Sequence, residues 1–218
     1  MRDRNAPLTR DDIASLDWDK MGGLLPAIVQ DRTSGRVLMV GYMNQEALSA
    51  TLKSGLATFF SRSKDRLWQK GETSGNALLV DAIFADCDAD ALLVLAAPKG
   101  PTCHLGSDSC FGAAPTCGAG WLEELSMIVR DRARSADSTS YTRTLLAAGR
   151  GRIAQKVGEE GVEVALAAVS RPASECAEEL ADLIYHLTVL MESLELGWGD
   201  VIDLLQERHF ASSSTAAS

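Results

Sequence analysis

No stretch of this 218-residue sequence is apolar for long enough to cross a membrane. A span needs about 18 unbroken apolar residues, and the best run, Ala91 to Ala97, is a strand at most. Nor does an apolar segment follow the charged start MRDRNAPLTRDD. That absence argues against a signal peptide and predicts a cytoplasmic protein. An even cysteine set is also missing. The five cysteines, Cys87, Cys103, Cys110, Cys117 and Cys176, are too few and too odd for a disulfide framework, which leaves metal ligation or inert burial. A surplus of basic charge is absent as well. The net charge of −9 argues against a nucleic-acid binder, which would normally carry the opposite sign and a basic face. No internal repeat is visible, so any second domain differs from the first.

What is present is ordinary globular composition, 46% hydrophobic and 23% charged, in a chain long enough for two domains. The acidity is uneven. Up to Gly118 there are 12 basic and 14 acidic residues; from Ala119 onward there are 9 and 16. The first half has strand-like runs at Leu24–Gln30, Arg36–Met43, Ala57–Ser61, Ala77–Ala85 and Ala91–Ala97, broken by turn residues such as Ser34-Gly35. One helix interrupts them. Asn44 is placed to cap it, Ala47, Leu48 and Leu52 share a face, and Gly55 stands where a terminating glycine belongs. The segment GAAPTCGAG, from Gly112 to Gly120, has linker chemistry. Beyond it no strand pattern appears. Leu122, Leu125 and Ile128 begin a helical stripe, and Tyr141–Ala148, Arg152–Val169 and Ser174–Leu194 continue as helices. Breaks are expected at Gly149, Gly151 and Ser170-Arg171-Pro172. A short helix, Asp200–Arg208, and a disordered tail follow.

Two constellations carry chemistry. In DCDAD, an extended chain would set Asp86, Asp88 and Asp90 on one face, with Cys87 on the other. Three neighbouring carboxylates suit Mg²⁺, although a solvated acidic turn has the same composition. Cys87, Cys103 and Cys110 offer soft sulfur to Zn²⁺. Three ligands leave one tetrahedral position open for a water that ionises near neutral pH, as in catalytic zinc sites. Burial alone is the competing reading of these cysteines. His104 is a candidate proton donor beside them. Upstream, Arg62, Lys64, Arg66 and Lys70 gather near the Thr73 and Ser74 hydroxyls. Gly71 and Gly75 let backbone N–H groups approach an anion, a cluster suited to phosphate or to a solvated hairpin.

In the second half, Glu159, Glu160 and Glu163 fall within one helical turn of each other, and Glu179 and Asp182 are i, i+3 on the next helix, with His186 one turn on. Two antiparallel helices with these acids inward would cage Mg²⁺. The apolar flanks Val157, Val164, Leu180, Leu183, Ile184 and Leu187 put the acids near a helix seam, where unpaired charge is costly. Lys156 is a candidate for holding a phosphate, or else faces solvent.

The motifs GLLPAIVQD, VLMVGYMN, FFSRS, LWQKGETSGN, DCDAD and GPTCHLGSDSCF, in this order, closely resemble phosphoribosyl-AMP cyclohydrolase over about Leu16 to Gly112. The resemblance implies Mg²⁺ on Asp86, Asp88 and Asp90, and Zn²⁺ on Cys87, Cys103 and Cys110 shared across a homodimer. The implied reaction is attack of zinc hydroxide at C6 of phosphoribosyl-AMP, followed by cleavage of the C6–N1 bond. Arg62, Lys70, Glu72, Thr73, Ser74 and Gly75 are its expected substrate contacts. Asn76 stands where some relatives carry His, so no role is given to a histidine there.

SYTRTLL, KVGEEGVE, EELADLIYHLTVLM and DVIDLLQER resemble phosphoribosyl-ATP pyrophosphatase over about Leu122 to Arg208. This implies a Mg²⁺-dependent release of pyrophosphate from phosphoribosyl-ATP. The metal would rest on Glu159, Glu160, Glu163, Glu179 and Asp182, with Glu160 and Glu163 catalytic and Lys156 on the substrate. The expectation is therefore an α+β domain with mainly antiparallel strands (1–112), a linker (113–120), an all-α nucleotide-pyrophosphatase bundle (121–210) and a tail (211–218). Two rivals share parts of this pattern. A binding module would have a structural zinc, closed by Cys117 as fourth ligand. A house-cleaning pyrophosphatase fused to a zinc deaminase would share the carboxylates and the cysteines. Cys117 is expected not to ligate, and Cys176 has no expected role.

Overall fold

The computed structural model describes residues 3, 5–112, 116, 118–135 and 140–215. The chain folds as two compact units, 1–120 and 121–218.

The first unit is α+β. Strands β1 (Leu25–Asp31), β2 (Val37–Met43), β5 (Leu78–Ala85) and β6 (Leu92–Pro98) form a sheet in the order β2-β1-β6-β5. The β1/β2 and β5/β6 pairs are antiparallel, and only β1 and β6 run parallel. Strands β3 (Thr58–Ser61) and β4 (Arg66–Gln69) make a separate hairpin. The sequence pattern missed β4, because four residues inside a polar stretch carry too little alternation to read as a strand. Helix α1 (Gln45–Ser54) has the caps its sequence calls for. The Asn44 side chain accepts from the Ala47 N–H, and Gly55 sits at φ 70°. Such a cap contributes about 1 kcal/mol.

Alternation in β1 puts Leu25, Ala27 and Val29 at zero exposure against Leu48, Phe59, Leu92 and Val94. Full burial of a Leu or Val side chain stabilises by about 1.5–3 kcal/mol, so this face holds the sheet to α1 and the hairpin. Strand β2 is a sheet edge, and its free side anchors the segment bearing Cys110. The Cys110 N–H donates to the Leu38 carbonyl at 2.8 Å, and the buried Ser109 hydroxyl donates to the Val37 carbonyl at 2.8 Å.

The second unit is all helical among the described residues: α2 (Trp121–Arg134), α3 (Tyr141–Ala147), α4 (Arg150–Ser170), α5 (Ala173–Ser193) and α6 (Trp198–Thr215). Leu125, Val129, Leu145, Ile153 and Val189 form its core. Helices α4 and α5 are antiparallel, turning at Arg171-Pro172, while at their far ends the Arg150 guanidinium donates to the Ser193 carbonyl at 2.7 and 3.0 Å. Gly149 precedes α4, but Gly151 lies inside its first turn instead of breaking it. Helix α6 runs past the expected end at Arg208, because no glycine or proline stops it before Thr215. That takes up 211–215 of the expected disordered tail; residues 216–218 lie outside the described residues.

Candidate active sites

In the first unit a cleft of about 450 Å³ is lined by Trp68, Lys70, Glu72, Thr73, Ser74, Asn76, Cys103, His104 and Cys110, among others. The 71–77 loop forms one wall. Gly71 is at φ 84°, and a Cβ there would lie 2.6 Å from the Asn76 and Ala77 backbone, so the loop closes only on glycine. Lys70 is buried and donates to the Asn76 carbonyl at 3.2 Å. Arg66 grips Glu72, Nη2 to Oε1 at 2.6 Å, which holds the Glu72 carboxyl below its ordinary range. Arg62 is not among the cleft residues; its guanidinium lies 3.9 Å over the Tyr42 ring. Gly75, at φ 78°, shapes the loop without lining the cleft.

Cys103 and Cys110 both line the cleft, close enough for each to shift the other's titration. The Leu105 N–H and the Ser107 hydroxyl, together with Cys110 and the Lys70 charge, hold the Cys103 thiol below its usual value. Desolvation and the neighbouring Cys103 push the Cys110 thiol up. One proton is thus shed before the other, and two soft sulfur donors face the cleft, a set suited to zinc. The His104 ring nitrogen Nδ1 is 4.0 Å from Cys103 Sγ. Cys87 is exposed and does not join them. Among the described residues, no group of three ligand atoms within 4.8 Å contains a cysteine. Cys117 lies outside the described residues.

Asp86, Asp88 and Asp90 do come together, within 4.8 Å. They do so on a turn, not on the extended chain that their alternation implied. The Asp90 and Ala91 N–H groups both donate to Asp86 Oδ1, at 3.0 and 3.2 Å, and Ala89 takes φ 63°. Local capping by an aspartate competes with strand geometry and wins here. Lys20, which the sequence pattern did not single out, places its ammonium against both Asp88 and Asp90 and lowers the Asp88 pKa. An ammonium among these carboxylates is a protein-borne stand-in for a cation. Nothing local marks Lys20, since it is 68 residues from Asp88.

In the second unit, Glu160 on α4 and Glu179 and Asp182 on α5 bring carboxylate oxygens within 4.8 Å of one another. Glu160 is 5% exposed, and Lys156 Nζ lies 2.9 Å from its Oε1 and 2.9 Å from Glu159 Oε2. Lys156 is the main cause of the lowered Glu159 pKa, helped by Gln155 and Arg152. Glu159 thus faces cations of the chain and is not in the three-acid group. Glu163 borders the group, and the charges of Glu160 and Glu179, with desolvation, raise its pKa. Arg171, which reads in sequence only as part of a helix break, donates to Glu179 at 2.8 Å. A cluster of hard oxygens, one of them deeply buried and neutralised by a lysine, fits Mg²⁺.

A thiol-bearing cleft on an α+β unit and a carboxylate cage on a helical unit define a two-domain hydrolase. Residues 39–112 match the model of the phosphoribosyl-AMP cyclohydrolase family, and residues 122–209 that of phosphoribosyl-ATP pyrophosphohydrolase. The histidine biosynthesis bifunctional protein HisIE of Xanthomonas axonopodis pv. citri is 55% identical over 94% of this chain and 98% of that protein. The proteins of that name from Yersinia pestis and Salmonella typhimurium are 52% and 53% identical, over 93% of this chain and 98% and 99% of theirs. The chain belongs to this family of bifunctional histidine-biosynthesis hydrolases, with the cyclohydrolase domain first and the pyrophosphohydrolase domain second.

Proposed function

We propose that the helical domain hydrolyses phosphoribosyl-ATP to phosphoribosyl-AMP and pyrophosphate, and that the α+β domain then opens the adenine ring of phosphoribosyl-AMP between C6 and N1. The observation that carries this reading is the presence in one chain of two unlike donor sets. One is the Cys103 and Cys110 sulfur pair facing a cleft; the other is the oxygen cage of Glu160, Glu179 and Asp182.

In the helical domain, Glu160, Glu179 and Asp182 would hold Mg²⁺, which when bound screens the triphosphate charge and orients water. Lys156, now paired with Glu160 and Glu159, would offer its ammonium to a phosphate oxygen once a metal neutralised those carboxylates. Glu163, with its raised affinity for a proton, is placed to take one from the attacking water. In the α+β domain, Lys70, Thr73 and Ser74 bind and orient phosphate and ribose oxygens, and Glu72, held by Arg66, offers acceptors to hydroxyls. Cys103 and Cys110 would hold zinc, which when bound makes water acidic enough to attack C6 at neutral pH. His104, beside Cys103 in the cleft lining, would deliver a proton to N1 as the ring opens. Asp86, Asp88 and Asp90 would exchange Lys20 for Mg²⁺. Arg62 and Gly75 act indirectly, through Tyr42 and through the loop.

The family resemblance implies that Cys87 of a second copy would supply the third sulfur to that zinc, a reading supported by Cys87 being exposed and apart from the other two within one chain. The working form would be a homodimer, with a cytoplasmic location. The test is incubation of the purified chain with phosphoribosyl-ATP, Mg²⁺ and Zn²⁺, with sedimentation of the same sample. Pyrophosphate followed by the ring-opened product, from a dimer, is expected. Absence of either product from a folded, metal-loaded protein refutes the corresponding half.

A further inference from the structure

The cage is backed by a polar pair that the reaction as derived does not use. His186 on α5 is 5% exposed, and its Nδ1 lies 2.9 Å from the Asp182 carbonyl oxygen. A carbonyl only accepts, so Nδ1 carries a proton. The Tyr141 hydroxyl on α3 is the hydrogen-bond partner of Nε2, at 3.1 Å. Tyr141 and Tyr185 meet the imidazole edge-on, with centroids at 6.1 and 5.2 Å. Tyr185 is itself tied to Thr142 of α3 at 2.8 Å. The ring is therefore fixed by two hydrogen bonds and two aromatic contacts.

What this fixed ring faces is the cage. Its Nδ1 is 3.7 Å from Glu160 Oε1, the most buried of the caging acids. The other group touching that oxygen is the Lys156 ammonium, on a mobile four-carbon stem and shared with Glu159. The Asp182 carbonyl that receives the His186 proton belongs to the same residue that supplies a cage carboxylate. One imidazole thus borders the carboxylate from α4 and pins the turn that presents the carboxylate from α5.

We propose that Tyr141 and His186 are positioning residues for the carboxylate cage. Tyr141 orients His186, and His186 holds Glu160 and Asp182 at the separation a divalent cation needs. This rests on the pyrophosphohydrolase reading for its effect on turnover, but not for its effect on metal binding. Hydrogen-bonded partners behind metal ligands typically change metal affinity or activity by about 10-fold or more when removed.

The test uses the full chain and Mn²⁺ alone, titrated by calorimetry, with Glu160→Gln identifying which binding step belongs to the cage. Tyr141→Phe removes one oxygen from a half-exposed side chain, so it tests the pair without threatening the fold. It is expected to weaken the cage step about 10-fold and to slow pyrophosphate release, with ring opening and melting temperature unchanged. His186→Asn, whose amide can still donate to the Asp182 carbonyl, should retain more Mn²⁺ affinity than His186→Ala. Unchanged Mn²⁺ affinity in Tyr141→Phe overturns the proposal, whatever the activity. So does a loss of affinity that comes only with a fall in melting temperature and ring opening. If the unmodified chain binds Mn²⁺ yet releases no pyrophosphate, the catalytic reading fails, and the Mn²⁺ titrations still judge the pair.

Discussion

Glu163 shows how a single residue can sacrifice stability for a site. Its carboxyl is raised above the ordinary range, chiefly by the negative charge on Glu160, and then by desolvation and Glu179. A raised carboxyl pKa means that the folded chain binds the proton more tightly than the unfolded chain. Its favourable contribution is full below the unfolded value and is lost as pH rises through the folded one. At neutral pH the repulsion remains, and a divalent cation in the cage would relieve it. Metal-free Glu163→Gln should accordingly melt above the unmodified chain at neutral pH, with the gap closing on acidification, while pyrophosphate release falls steeply. Melting curves in chelator at several pH values decide it. A variant that melts lower at neutral pH would mean that Glu163 has stabilising partners outweighing the repulsion. Of the cage residues, the acids were legible from their i, i+3 and i, i+4 spacing. Arg171 and Tyr141 were not, because no spacing rule relates a helix-break arginine or an α3 tyrosine to an acid or an imidazole on α5.

At the scale of elements, the cleft depends on how the β3/β4 hairpin meets the sheet. Phe59 of β3 is 1% exposed, and its ring lies over Gly41 of β2; a Cβ at that glycine would fall 2.4 Å from the ring. The glycine is thus needed for close approach, and its φ is not in the left-handed region. Gly41→Ala must displace a buried aromatic ring, and overpacking of this kind costs about 1–3 kcal/mol. Urea unfolding should show that loss, together with weaker ring opening, since Trp68 and Lys70 on and beside β4 line the cleft. An unchanged midpoint would mean that the hairpin adjusts freely. The α1 boundaries and five of the six strands followed from capping residues and from apolar runs bounded by turn residues. Strand β4 and the 86–90 turn did not, because each is decided by partners outside its own few residues: β3 in one case, the Asp86 carboxylate in the other.

For the whole molecule, two compact units with separate donor sets predict separable activities. Cys103→Ser should abolish ring opening and leave pyrophosphate release intact, and Glu160→Gln should do the reverse. Product assays on phosphoribosyl-ATP and phosphoribosyl-AMP read both. Loss of both activities in either folded variant would show that the two sites are one system. The sequence by itself determined the two-part architecture, the helices and most strands, and the family. Those properties rest on periodicity and on ordered motifs, which are local in the chain. Tertiary structure alone decided that Lys20 sits among Asp88 and Asp90, that Ser109 and Cys110 hang on the edge of β2, and that Cys87 stands apart from Cys103 and Cys110. It alone placed Tyr141 behind the cage, 45 residues from His186. The reason is physical: backbone geometry sets which face a residue occupies within its own element. Which distant side chain then meets that face is set by how sheet edges, hairpins and helices pack, and no period in the sequence records it.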